Sequence, residues 1–396
     1  MTNHKTQLLI IGGGTAGISV AARLRDASPN LHVTILDPAS HHDYQPLWTL
    51  VGAGVFPRAQ SRRTMESVIP PGVQWIKAAA ASFEPEQHAV ITADGDRWEY
   101  EQLVVAMGIQ LDWDKIEGLK GNLGKNGICS NYAWETVEST WQQFQQFKGG
   151  DAIFTIPTMP IKCAGAPQKI MWLFEDYVRK NGMRRDARVH VFSAGAVIFG
   201  VEKYRKALEK LIEQRDILTH YKNNLVAVNA DRREATFEHA DTKARETVKY
   251  DLLHISPPQS APNVIKSSPL AGAGGWVEVD KYTMQHVRFP DVWSLGDCSS
   301  LPTSRTGAAI RKEAPILVEN LLAARRGEPL QGRYDGYASC PLVTGYGRVI
   351  LAEFDYDGKP AESFPFDQSQ ERYSMYMLKA YGLPEMYWNG MLKGRM

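Results

Sequence analysis

Three glycines in fixed spacing, Gly12, Gly14 and Gly17, constrain this chain more tightly than any other feature. They follow an apolar run at residues 7–11 and open a helical pattern lasting through Arg25, the order of a dinucleotide-binding strand, turn and helix. Each glycine has a physical reason. Gly12 permits the tight turn, Gly14 lets backbone approach a pyrophosphate, and Gly17 lets helix and strand touch. A second apolar run, residues 32–36, ends in Asp37, 20 positions beyond Gly17 and a candidate acceptor for ribose hydroxyls.

Two later strands narrow the choice of dinucleotide. Residues 103–108 are apolar and end in Ala106-Met107-Gly108, and residues 292–297 end in Gly296-Asp297. This trio resembles the two-dinucleotide-binding-domain flavoproteins. The resemblance implies an α/β fold with two Rossmann-like domains, the FAD domain interrupted by the second, and Asp297 on the ribityl chain. A length of 396 residues leaves room for such an arrangement. The expected domains are 1–109 with 268–330 for FAD, 110–267 as the insert, and 331–396 as a C-terminal segment.

The insert carries the most reactive-looking stretch, Lys162-Cys163-Ala164-Gly165-Ala166-Pro167-Gln168-Lys169, between a strand-like run at 152–156 and a helical run at 170–174. Pro167 suits the first position of a helix, where its missing N–H costs nothing. The positive helix end and the two lysines favour thiolate over thiol. The turns where a nicotinamide dinucleotide would be cradled, residues 157–163 and 193–198, lack a second glycine fingerprint. Cys340 is read in a second Pro-containing loop, followed by a strand at 348–354 and by Phe364-Pro365-Phe366-Asp367-Gln368. The end, residues 373–396, is rich in Tyr, Met, Leu and Trp and reads as two short helices broken at Gly382-Leu383-Pro384. Its apolar side chains, with Lys379, Lys393 and Arg395 for lipid phosphates, suit a membrane-anchoring amphipathic segment.

These segments, with Gly296-Asp297-Cys298 and Pro302-Thr303-Ser304, resemble sulfide:quinone oxidoreductases over nearly the whole chain, in the two-cysteine branch that includes the mitochondrial enzyme. The resemblance implies a monotopic membrane flavoenzyme, peripheral to the bilayer, that oxidises hydrogen sulfide to a protein-bound persulfide through Cys163 and Cys340. Electrons pass through FAD to a membrane quinone of the ubiquinone type. The sulfur leaves to a small acceptor such as glutathione or sulfite. Positions matching FAD contacts are Thr15, Ala16, Asp37, Gln45, Ala80, Lys169, Asp297 and Gly307, beside Gly12, Gly14, Gly17, Ala106 and Gly108 of the motifs. Tyr346, Phe354, Phe364 and Phe366 are expected to line the quinone entrance. Asp37 stands where relatives often have Glu, Arg305 where Lys is common, and Arg311-Lys312-Glu313 replaces a more neutral run. Cys129 is read as a bystander and Cys298 as a packing residue.

A net charge of +1 gives no reason to expect nucleic acid. No metal site is expected, the start does not read as a signal peptide, and no run is long and apolar enough to span a membrane. Homo-oligomerisation is left open. Three rivals stand beside this reading: a type-II NADH:quinone dehydrogenase, which needs the missing second fingerprint; a haem-coupled flavocytochrome, which needs a C-x-x-C-H; and a non-enzymatic flavin-binding partner.

Overall fold

The computed structural model describes residues 2–396. Strand β1 (Asn3–Ile11) enters the core with Leu8, Leu9 and Ile10 fully buried and turns through the glycines into α1 (Thr15–Ala27), which returns to β2 (Val33–Leu36). β1 lies between β2 and β3 (Arg97–Val105), parallel to both. Gln74–Ile76 extends the sheet beyond β2, and antiparallel Ala89–Thr92 and Ala80–Glu84 extend it beyond the start of β3. Runs buried on both faces read as continuous apolar stretches, which is why these parallel strands were visible in the sequence.

The chain then builds a second, five-stranded parallel sheet. β4 (Gly150–Ile156) leads through α2 (Ala166–Lys180) to β5 (Ala187–Ser193), with Leu218–Tyr221 outside β5 and Leu252–His254 and Ile128–Cys129 on the other side of β4. An antiparallel sheet of Asn223–Asn229, Glu234–His239 and Arg245–Lys249 sits beside it, joined by a separate small core in which Phe192 and Phe237 stack at 3.8 Å. α2 is buried almost all round through Ile170, Met171, Trp172, Leu173 and Phe174, as a helix covered on both sides must be.

β6 (Val292–Ser294) rejoins the first sheet beside β3 and is followed by α3 (Gly307–Arg325). The hairpin of β7 (Ala338–Gly345) and β8 (Arg348–Phe354) packs against α2. Cys340 is therefore not in a loop but inside β7. Pro341 is tolerated next to it because this two-stranded hairpin has a free edge where a missing N–H breaks no ladder bond.

The tail departs most from expectation. Residues 373–393 form one helical run, which passes through Gly382-Leu383-Pro384 on wide turns that do without the hydrogen bond proline cannot donate. Its apolar side is mostly buried in the protein: Met375, Tyr376, Tyr387, Trp388, Met391 and Leu392 are core residues. Lys379, expected at lipid phosphates, is only 2% exposed, and its Nζ donates to Pro46 O at 2.6 Å. What stays outside is a narrow line, Tyr373, Met377 and Tyr381, spaced four apart on one helix face. No helix of the described residues is long and apolar enough to cross a membrane.

Candidate active site

Strand register gathers the dinucleotide residues at one edge of the first sheet. Ile11 pairs with Leu36 and Val105, and Val105 pairs with Ser294, so four chain segments leave the sheet at one level. Gly14, Gly108 and Asp297 each stand three residues past that level and Asp37 one residue past it, at the carboxyl ends where open parallel sheets bind ligands. Gly12 has φ +107°, and a Cβ there would lie 2.4 Å from Ala106 O; a Cβ on Gly17 would lie 1.9 Å from Gly12 O. Those two glycines are held by the protein itself.

Gly14, Gly108 and Gly307 are different, since a Cβ on any of them meets no protein atom within 4 Å. Gly14 caps α1 without a side-chain acceptor, leaving the helix's first N–H groups facing that space. Among the described residues the Asp297 carboxylate has no hydrogen-bond partner; burial pushes it up to about 6, against the pull of Lys162 and Arg305. Open space over glycines, uncapped N–H groups and an unpaired carboxylate are what the pyrophosphate and sugar alcohol of FAD require, so the residues fit that group. Asp37 accepts from Gly13 N at 2.6 Å and Ala39 N at 2.7 Å, which fixes its carboxylate beside the turn. Gln45 accepts from Lys162 Nζ at 2.7 Å. Ala80 lies four residues past Ile76, whose carbonyl accepts from Asp37 N–H, and pairs with Thr92 in the antiparallel extension of the sheet.

The two cysteines meet. Cys163 lies in the loop between β4 and α2, its N–H donating to Ser304 O at 2.8 Å, and Cys340 reaches it from β7 with an Sγ–Sγ separation of 3.5 Å. Gly165 permits the approach, because a Cβ there would strike Leu342 Cδ2 at 2.3 Å. Cys163 takes φ +83°, a conformation uncommon for residues other than glycine and a mark of functional strain. Lys169 Nζ donates to Cys163 Sγ at 3.6 Å. The hydrogen bond from Cys340 is the largest influence holding the Cys163 thiol below its usual range; burial opposes it, and Lys169 and Lys379 add to it. Cys340, the donor of that bond, is held well above its usual range. The arrangement is a dithiol poised as Cys163 thiolate and Cys340 thiol.

Of two further lysines beside this pair, Lys162 is read from the sequence as favouring the thiolate, whereas Lys379 is read only as a partner for lipid phosphates. Lys162 is pulled down to about 8 by burial, and Lys379 to about 7 by burial and by Lys169. Lys162 stood next to the cysteine in plain view; Lys379, inside an aromatic tail, carried no local signal. Cys129 and Cys298 are fully buried and far less acidic, Cys129 pushed up to about 12 by burial. The four aromatic residues expected at a quinone entrance lie on and after the hairpin of β7 and β8. Tyr346 sits at the hairpin turn with its hydroxyl on Ala53 O, whereas Phe354 lies eight residues on, against Phe199, about 20 Å along the hairpin at strand rise. Phe364 and Phe366 stack on each other at 5.3 Å.

Residues 6–143, which hold the glycine turn and most of the first sheet, match the model of the pyridine nucleotide-disulphide oxidoreductase family. The mitochondrial sulfide:quinone oxidoreductase of Mus musculus is 48% identical over 394 residues, covering 99% of this chain and 87% of that protein. A relative of the same description from Dictyostelium discoideum is 48% identical over 393 residues, 98% of this chain and 86% of that protein. The solved sulfide:quinone oxidoreductase of Aquifex aeolicus superposes with a TM-score of 0.81 at 19% identity, covering 98% of this chain and 92% of that one, a likeness of fold. This chain belongs to the sulfide:quinone oxidoreductase family, in its two-cysteine branch, and is an FAD-dependent oxidoreductase.

Proposed function

We propose that the protein oxidises hydrogen sulfide to a persulfide on Cys340 and passes the electrons to a membrane quinone. The observation that carries this reading is the Cys163–Cys340 contact with Lys169 on the Cys163 sulfur. In the oxidised state the two sulfurs share a bond. Hydrosulfide attacks Cys340 Sγ, a new S–S bond forms there, the old one breaks, and Cys163 leaves as the thiolate that Lys169 and Lys379 stabilise. The lower-pKa sulfur is the better leaving group, which fixes the direction of attack. FAD, when bound, supplies the two-electron acceptor between the sulfur pair and the quinone.

The residues proposed to hold FAD are Gly12, Gly14, Thr15, Ala16 and Gly17 at the pyrophosphate, Asp37 at the ribose, and Gln45, Ala106, Gly108, Lys169, Asp297 and Gly307 along the rest. The sheet membership of β1, β3 and β6 supports one FAD-binding domain from 1–109 and 268–330, interrupted by 110–267 and followed by 331–396. Peripheral attachment to a bilayer would rest on the line of Tyr373, Met377 and Tyr381 rather than on the whole tail. The sulfur is proposed to leave Cys340 for a small nucleophile such as a thiol or sulfite.

Anaerobic addition of sulfide to the FAD-loaded protein tests the reading. Sulfide is expected to bleach the visible flavin band and NADH to leave it; bleaching by NADH alone would replace this function with that of an NADH dehydrogenase.

A further inference from the structure

A buried polar chain ties the C-terminal tail to the glycine turn, and the sulfur chemistry does not use it. His42 is 4% exposed; its Nδ1 lies 3.0 Å from Gly13 O and its Nε2 2.5 Å from the Tyr387 hydroxyl. That hydroxyl lies 2.8 Å from Thr15 Oγ1, on the first residue of α1 beside the open space over Gly14.

Hydrogen-bond roles along this chain are forced. A carbonyl only accepts, so His42 Nδ1 carries a proton. In neutral imidazole Nε2 is then an acceptor, Tyr387 donates to it, and the Tyr387 oxygen can only accept from Thr15. The Thr15 proton is thus committed away from the cradle, and Thr15 offers nothing but lone pairs to it. A phosphate oxygen over Gly14 is also an acceptor and needs that proton. If Thr15 turns it outward, Tyr387 must donate to Thr15, and His42 Nε2 is stranded without a donor in a buried site, a costly arrangement. One added proton on Nε2 resolves the conflict, because both ring nitrogens then donate and every hydroxyl points toward the phosphate.

We propose that binding of a pyrophosphate-bearing cofactor at the glycine turn is coupled to uptake of one proton by His42, relayed to Thr15 through Tyr387. This rests on the reading that FAD places its pyrophosphate at the start of α1. The proton comes from solvent, and only hydrogen bonds reverse. The surroundings allow the charge. The Gly13 carbonyl, the neighbouring Asp43 and Asp37 at the end of β2 favour the cation, while burial against Tyr387 and Trp388 and the positive start of α1 disfavour it. Arg63, opposite His42 in the strand pair, is engaged over Trp388 at 4.3 Å, and Arg62 is paired with Asp43. In the free protein burial keeps His42 below its ordinary value, so the ring is neutral at neutral pH; bound phosphate adds the charge that reverses this.

Calorimetric titration of FAD into the full-length apoprotein, in buffers of low and high ionisation enthalpy, reads the linked proton directly. Uptake is expected near neutral pH, with affinity weakening as pH rises, by at most about tenfold per unit. His42→Gln and Tyr387→Phe should abolish the uptake and flatten the slope, Tyr387→Phe keeping the ring and its packing. Wild-type heat independent of buffer, or the same uptake in both variants, overturns the proposal; if one variant fails to fold, the other decides. Gly14→Leu separates the two levels of the argument. FAD binding that survives it refutes the pyrophosphate placement, whereas binding lost there with no proton taken up by the wild type refutes only the relay.

Discussion

Cys129 and Cys163 both stand at the carboxyl edge of the second sheet, one ending a strand and one just past β4, and their chemistry differs completely. Cys129 is enclosed by apolar neighbours and Thr140, and burial raises its pKa against a weaker opposing pull from the Thr140 hydrogen bond. Cys163 is half-buried, and a second thiol and two lysines outweigh the burial it has. Exposure and partners together decide whether a cysteine reacts, and Cys129 has neither the opening nor a cation.

The largest expected effect breaks the reactive half of that comparison. Cys163→Ser or Cys340→Ser should lower sulfide-driven quinone reduction at least about a thousandfold while FAD stays bound, since a hydroxyl forms neither the bridge nor a persulfide. Next is Gly14→Leu: φ −77° accepts a side chain and no protein atom is near, so the apoprotein should keep its melting temperature. Its FAD affinity should fall about a hundredfold, roughly 3 kcal/mol, measured by flavin fluorescence.

Lys379→Met sharpens the comparison. Removing a cation raises the Cys163 pKa, so the ultraviolet thiolate titration of the reduced protein should move up by about one pH unit. The sign is fixed: in the wild type the thiolate persists above its depressed pKa and is lost as pH falls through it, so the variant loses it at higher pH. Unchanged titration would mean that the Cys340 hydrogen bond and Lys169 suffice. The smallest effect belongs to the inert half: Cys129→Ser and Cys298→Ser should keep sulfide turnover within about twofold and cost ~1 kcal/mol in denaturant unfolding. A large loss of turnover in Cys129→Ser would draw that residue into the chemistry.

What the sequence made legible follows the range of the interactions involved. The glycine turn, Ala106-Met107-Gly108, Gly296-Asp297 and the helix after Cys163 are local patterns, each imposed by backbone geometry within a few residues, and their strands sit where the apolar runs lie. The strand Arg348–Phe354 matches to the residue. The fate of the tail was hidden because its partners are remote: Tyr387 meets Thr15 and His42, and Lys379 meets Pro46, all more than 330 positions away. An aromatic, Met-rich helix reads the same whether lipid or protein covers it. The antiparallel sheet at residues 223–249 carried only weak alternation, with charged residues on both faces of its last strand.

The central claim is that Cys163 is the leaving thiolate and Cys340 the sulfur acceptor. One equivalent of sulfide added anaerobically to the oxidised, FAD-free protein, which has no flavin to draw the electrons off, followed by rapid alkylation and peptide mass spectrometry, tests it most directly. The account predicts one extra sulfur atom on the peptide bearing Cys340 and a singly alkylated, unmodified Cys163. Extra sulfur on Cys163, with Cys340 free, would contradict it.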